Sequence, residues 1–226
     1  MPLKTNREMV RIFKRLNGSF NTEISEYQTE RLEKKNKTIP FGIRLFKSSI
    51  SATFSRKSAN FIATDKRVLE ILDFLNGTNV PDESFWATIA GNLELGMPYS
   101  FNGSKWLEII HENKNKKQLP NIQTSNLPYY ISRYQLWYDK NRCKGKIIFG
   151  SCAFGIGDLP ILLRRPELVA HKLYLNLEAA SFFCLFKKIR DRALDPIENF
   201  DDAKYGQLPC AKATRDFSKF KSNTQY

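Results

Sequence analysis

A domain built on a parallel sheet places buried strands early in its chain, and this sequence does not. The first run with strand periodicity is SISATFSR at 49–56, where Ile50, Ala52 and Phe54 alternate onto one face. Ahead of it stand an amphipathic helix at 6–17 and a polar stretch at 19–40 that reads as loop with some helix. Met9, Val10, Phe13 and Leu16 give that first helix its apolar stripe, and Gly18 its stop. Helix returns at 57–75, with Asp65 placed to cap KRVLEILDFL, and Asn76, Gly77 and Pro81 mark a turn before a short helix at 83–91. Residues 98–128 read as irregular chain with scattered Pro, Gly and Asn. Strands are expected at 129–138 and 146–151, then Asp158 capping LPILLRR, then a helix over 177–194. Helices and strands alternate, so the class is α/β or α+β, and the dearth of early strands suggests the later half of something larger.

Composition narrows the partners. A 42% hydrophobic and 13% aromatic content builds a core and excludes wholesale disorder. The formal charge of +13 favours an anionic partner, yet it is spread over separated clusters such as RLEKKNK (31–37), NKNKK (113–117) and KKIRDR (187–192). No RRM, zinc-finger or helix-turn-helix signature accompanies it, so nucleic acid is not an expected partner. No apolar run approaches the ~18–20 residues of a membrane-spanning helix, and MPLKTNREMV is not a signal peptide. Taken by itself, the chain reads as soluble and untargeted. Two features pull the other way. N-x-[ST] sequons stand at Asn17, Asn36, Asn76 and Asn102. Cys143 and Cys152 are spaced to close a short disulfide loop in an oxidising compartment, or to stand as buried thiols in a reducing one. With Cys184, Cys210 and two distant histidines, they match no zinc spacing.

Three motifs bear on chemistry. FGIGDL (154–159) follows a strand and precedes a helix but lacks the third glycine of a dinucleotide loop, so a tight turn is the simpler reading. In PDESFW (81–86), Asp82 and Glu83 complement the positive end of a helix. The same place suits a general base, since a helix N-terminus favours a carboxylate and the nearby Trp86 restricts water. Trp137 beside Tyr138 reads either as core or as a stacking platform for sugar rings.

The order of the blocks PLKTN (2–6), PDESFWAT (81–88) and CAFGIGDLPILLRR…HK (152–172) resembles the core-2/I-branching β-1,6-N-acetylglucosaminyltransferases, from about Pro2 to Arg192. The resemblance implies an α/β, GT-A-like glycosyltransferase domain of which this chain is the C-terminal portion, at 1–194, followed by a polar, poorly ordered tail at 195–226. It implies a Golgi enzyme on the luminal side, held by an N-terminal membrane anchor outside this chain. The family's catalytic base falls on Glu83. Its acceptor contacts fall on Glu23, Arg31, Trp137 and Tyr138, and the lysine that neutralises the UDP diphosphate on Lys172. Its cysteine pair falls on Cys143 and Cys152, and a further bridge to the family's N-terminal region would use Cys184. The sequence departs from the family at Phe149, where a second diphosphate-binding arginine is expected; Lys146 or Lys144 would then substitute.

The implied reaction is inverting and metal-independent transfer of N-acetylglucosamine from UDP-GlcNAc, in β-1,6 linkage, to a galactose- or N-acetylgalactosamine-type acceptor of O-glycans or lactosamine chains. No cofactor or metal is implied, and the chain has no DxD motif. The partners are then a nucleotide sugar and a glycan. The alternative is an inactive fragment or a non-catalytic member that binds glycan only, a reading that Phe149 favours.

Overall fold

The computed structural model describes residues 1–32, 38–116, 129–195 and 200–212. Its first helix, α1 (Asn6–Leu16), starts on a capping box. The Thr5 amide donates to Glu8 Oε2 at 2.7 Å and the Glu8 amide donates to Thr5 Oγ1 at 3.2 Å, satisfying two of the helix's orphan donors. The face that α1 buries is not the expected one. Glu8, Ile12 and Leu16, four residues apart, are buried, while Val10 and Phe13 stand 52% and 43% exposed. Glu8 tolerates burial because its carboxylate is used by the box and faces Arg192 at 3.7 Å.

The chain divides into two compact units, one from Met1–Arg15 with Tyr130–Gly206, the other from Leu16–Tyr129 with Gln207–Tyr226. In the second unit, β1 (Asn21–Thr22) pairs antiparallel with β4 (Ala52–Thr53), and β2 (Ser25–Glu26) with β3 (Phe46–Lys47). The strand expected over 49–56 therefore shrinks to two residues. Ser55 ends it by capping α2 (Arg56–Thr64), accepting the Ser58 amide at 3.1 Å, and the Ile50 carbonyl turns to the indole of Trp86. Asp65 then separates α2 from α3 (Lys66–Leu75), accepting the Arg67 amide at 2.9 Å as its sequence position suggested.

Helix α4 (Asp82–Gly91) lies against β3 and supplies the hydrogen bonds a neighbouring strand would have made. Thr88 Oγ1 accepts from the Phe46 amide at 3.1 Å, and Asn92 exchanges hydrogen bonds with the Arg44 amide and carbonyl. Helix α5 (Gly103–Lys116) corrects the reading of 98–128 as irregular over that span, while 117–128 lie outside the described residues: Asn102 accepts the Lys105 amide and starts the helix. Gly91 and Gly103 meet over the buried Phe46 ring, and a methyl group on Gly103 would come within 2.6 Å of that ring's tip. Val68, Ile71, Leu75 and Ile89 form the centre of this unit's core.

In the first unit, β5 (Lys146–Ile148) and β6 (Ser151–Ala153) form a hairpin with Ile147 opposite Cys152. Cys143 and Cys152 are joined as a disulfide, their Cα atoms 5.7 Å apart. The strand expected over 129–138 does not form. Tyr134 bridges to Ala170 in parallel and Trp137 to Ser151 in antiparallel sense, so no single ladder develops, and Tyr138 leaves the extended region at φ 46°. Helices α6 (Leu159–Leu162) and α7 (Leu175–Leu194) complete the unit. Asp158 does not cap α6 with its side chain. Its buried carboxylate accepts the Gly155 and Lys144 amides, each at 2.9 Å, so a side chain rather than a phosphate fills the FGIGDL turn.

Part of the expected tail is packed. Asp202 pairs with Arg11 and Arg15, one turn apart on α1, and the fully buried Tyr205 donates its hydroxyl to the Pro166 carbonyl at 2.8 Å. These contacts outweigh the polar composition that suggested disorder. The sheets are small and antiparallel, and the mixture of helix and strand is compatible with an α/β glycosyltransferase domain.

Candidate active site

Pro81 opens α4 without any side-chain cap, so neither acid of the PDESFW stretch caps the helix by a hydrogen bond. The two acids diverge instead. Asp82 is exposed and faces α3, whereas Glu83 turns toward β3 and the short turn at Thr29–Leu32. Arg31 reaches Glu83 Oε2 at 2.8 Å, and Lys47 Nζ lies 3.9 Å from the same oxygen. The Arg31 side chain is 9% exposed and makes further hydrogen bonds. Its Nε donates to Gln28 at 2.8 Å and another nitrogen to the Val80 carbonyl at 3.2 Å, while its own carbonyl accepts the Asn79 amide. A buried guanidinium held this way fixes its carboxylate in orientation. Glu83 Oε1 has no partner among the described residues, and the Glu83 side chain is 26% exposed.

Trp86, one turn further on, is half-buried. Its indole N–H donates to the Ile50 carbonyl at 3.1 Å, and its ring contacts Phe54, which stacks on Phe20. The indole thus locks the start of α4 to the core. Glu23 follows β1, half-exposed, and no contact links it to Glu83 among the described residues.

In the other unit, the aromatic pair is not core. Trp137 and Tyr138 are 50% and 79% exposed, with ring centroids 6.1 Å apart and planes 25° from parallel. Tyr138 rests on Gly150, whose φ of 77° and lack of a side chain leave room for the phenol. Phe149, at the hairpin tip with φ 48°, is 90% exposed. The Lys172 ammonium sits between two rings, 5.5 Å from those of Phe149 and Tyr174. Lys146 begins β5 with its side chain exposed, and Lys144 Nζ donates to the Asn141 carbonyl at 3.2 Å. Sequence reasoning missed Lys47 as a second cation at Glu83 and the aromatic flanks of Lys172; the first lacks any local motif. The grouping of Cys143, Cys152 and Asp158 has the composition of a metal site, but both sulfurs are spent in the disulfide.

Residues 1–159 match the family described as Core-2/I-Branching enzyme, which is most of the 226-residue chain. The chain belongs to the core-2/I-branching enzyme family. Among curated members, it is 28% identical over 222 residues to a human protein named N-acetyllactosaminide β-1,6-N-acetylglucosaminyl-transferase, covering 87% of this chain and 49% of that protein. It is 25% identical over 225 residues to a human β-1,3-galactosyl-O-glycosyl-glycoprotein β-1,6-N-acetylglucosaminyltransferase, covering 88% and 48%. A bovine protein of the latter name is 24% identical over 229 residues, covering 87% and 48%. The chain thus spans about half the length of these branching-enzyme relatives. Among the described residues, no helix is long and apolar enough to cross a membrane.

Proposed function

We propose that this chain carries the base and the acceptor-side surface of a β-1,6-N-acetylglucosaminyltransferase that works in the Golgi lumen. The observation that carries the reading is the Glu83 carboxylate, with one oxygen held by Arg31 at 2.8 Å and the other without a partner among the described residues. In inverting transfer, this second carboxylate oxygen takes the proton of the acceptor's primary 6-hydroxyl as the hydroxyl oxygen attacks the anomeric carbon of UDP-GlcNAc. The bond from that carbon to UDP breaks on the opposite face, and UDP leaves with the electron pair. Arg31 acts here by positioning Glu83, beside the acceptor contact that the family resemblance assigns to it. Charge gathers on the departing diphosphate, and fixed cations stabilise it without a metal. Lys172 is the cation offered for that role, with the exposed Lys146 of β5 as the second. The exposed Trp137 and Tyr138 offer flat faces for the C–H surface of an acceptor sugar, and Glu23 a carboxylate for its hydroxyls.

A second reading, glycan binding without transfer, is favoured by Phe149, an apolar ring where the family carries a cation. One experiment separates the two. Transfer from UDP-GlcNAc to galactose-terminated acceptors is measured, with and without EDTA, for residues 1–226 and for the chain joined to the remaining half of its human N-acetyllactosaminide relative. Transfer by the joined protein that EDTA leaves intact is expected. Loss of transfer in EDTA would sink metal independence, and acceptor binding without transfer in either form would establish the second reading.

A further inference from the structure

The outward side of α3 is more apolar than a solvated helix needs. Leu69 and Leu72 are 47% and 46% exposed, and with Phe85 and Trp86 of α4 they wall a groove of about 600 Å³. Its rim is polar and includes Asp82 and Asn76. Asn76 is the residue that ends α3. It is exposed, its amide donates to the Leu72 carbonyl at 2.9 Å, and Gly77 turns the chain away at φ 90°. Thr78 follows, its hydroxyl donating to the Leu75 carbonyl at 2.7 Å. Asn76, Gly77 and Thr78 form one of the chain's sequons. A modifiable amide therefore stands on the lip of an apolar groove.

We propose that Asn76 carries an N-linked glycan and that its innermost sugars lie in this groove. The proposal rests on the luminal reading above. In the attachment step, Asn76 Nδ2 loses one proton as its bond to an anomeric carbon forms. The bond from that carbon to the diphosphate of a lipid-linked oligosaccharide breaks, and the lipid diphosphate leaves with the electron pair. The occupant suits the site. An N-acetylglucosamine ring has an apolar face to set against Leu69, Leu72 and Trp86, and hydroxyls for which the exposed Asp82 carboxylate is an acceptor. Its tether at the rim supplies the high local concentration that a free sugar would lack. The other sequons differ. Neither Asn17 nor Asn102 lines this groove, and the Asn102 carboxamide oxygen already accepts the Lys105 amide at 3.0 Å. Asn36 lies outside the described residues.

The test takes the protein from the cells that make it, so that both luminal exposure and occupancy are read. Release by peptide-N-glycosidase F in heavy-oxygen water marks each occupied asparagine as a labelled aspartate, located by peptide mass spectrometry, and non-reducing alkylation reports the thiols. Label at Asn76 is expected. Hydroxyl-radical footprinting before and after native release should then show labelling of Trp86 and Leu72 rising about twofold as the patch is uncovered, with Trp106, a residue of α5 that does not line the groove, unchanged. Asn76 unlabelled while Asn17 or Asn102 is labelled would overturn the proposal and leave the luminal reading standing. An occupied Asn76 with an unchanged footprint would overturn the covering role. All sequons empty, with Cys143 and Cys152 as thiols, would sink the luminal reading together with the proposal.

Discussion

Glu83 and Asp82 are neighbours in sequence with opposite surroundings, and substitution should show it. In a form that transfers sugar, Glu83→Gln is expected to lower turnover by ~10²–10⁴, the range for losing a general base, with donor binding nearly intact. Asp82→Asn should cost far less; equal losses at both positions would leave the pair a purely electrostatic feature of the helix end. Arg31→Gln separates positioning from acceptor contact. Loss of orientation at Glu83 lowers kcat at constant acceptor KM, whereas loss of a direct sugar contact raises KM. His171 offers a different measurement. Burial, then the charges of Arg133, Lys172 and the Met1 amine, push its imidazole down to about 4. The unfolded chain takes up that proton near pH 6.5, so between these values the unfolded state binds more protons and acid destabilises the fold. The stability linked to neutral His171 is therefore present above pH 6.5 and lost as pH falls toward about 4. Melting temperatures should drop across this window, and less steeply in His171→Gln; parallel profiles would contradict the assignment.

At the scale of elements, the legible parts were those whose signal is local. Asp65 before KRVLEILDFL fixes α3 because a cap and an apolar period agree, and the acids after Pro81 mark the start of α4. Asn102, Gly103 and Ser104 fall in the stretch read as irregular, yet they start α5, since the carboxamide of Asn102 works as a cap and Gly103 packs on Phe46. The failure at 129–138 has a similar cause. Tyr134 has the composition of a strand residue, but the Arg165 guanidinium lies 4.1 Å from its ring centre, and it and Trp137 bridge to separate partners. Of the candidate site, Glu83 was readable from its block, whereas Lys47 reaches it only through the β2–β3 pairing. Gly103→Ala tests the packing side of this account. Glycine to alanine in a helix ordinarily stabilises by about 0.5–1 kcal/mol. Here the added methyl must displace a buried ring, so a net loss of ~1–3 kcal/mol is expected in denaturant unfolding. A gain would mean that Phe46 yields freely.

For the whole molecule, two units with separate cores imply that a single unfolding transition is not assured. The Cys143–Cys152 bridge closes a loop of sequence separation 9 within one of them. Such a loop is worth somewhat under ~3 kcal/mol in the chain-entropy account. Reduction should lower the calorimetric transition of that unit and leave the other in place; a joint shift would show that they melt as one block. The same division has a consequence for synthesis. Residues 1–15 leave the ribosome ahead of 130–206, with which they belong, so α1 must wait while more than a hundred residues are made. At the usual ~5–20 residues per second, that delay is of order 6–23 s before residue 130 appears. Throughout it, Ile12 stands on a helix whose counterpart does not yet exist, while 16–129 is already free to condense. The earlier-made helix thus finds its place after 16–129 has condensed, and a translational pause beyond codon 130 lengthens the interval in which α1 is open to chaperones or to its own kind.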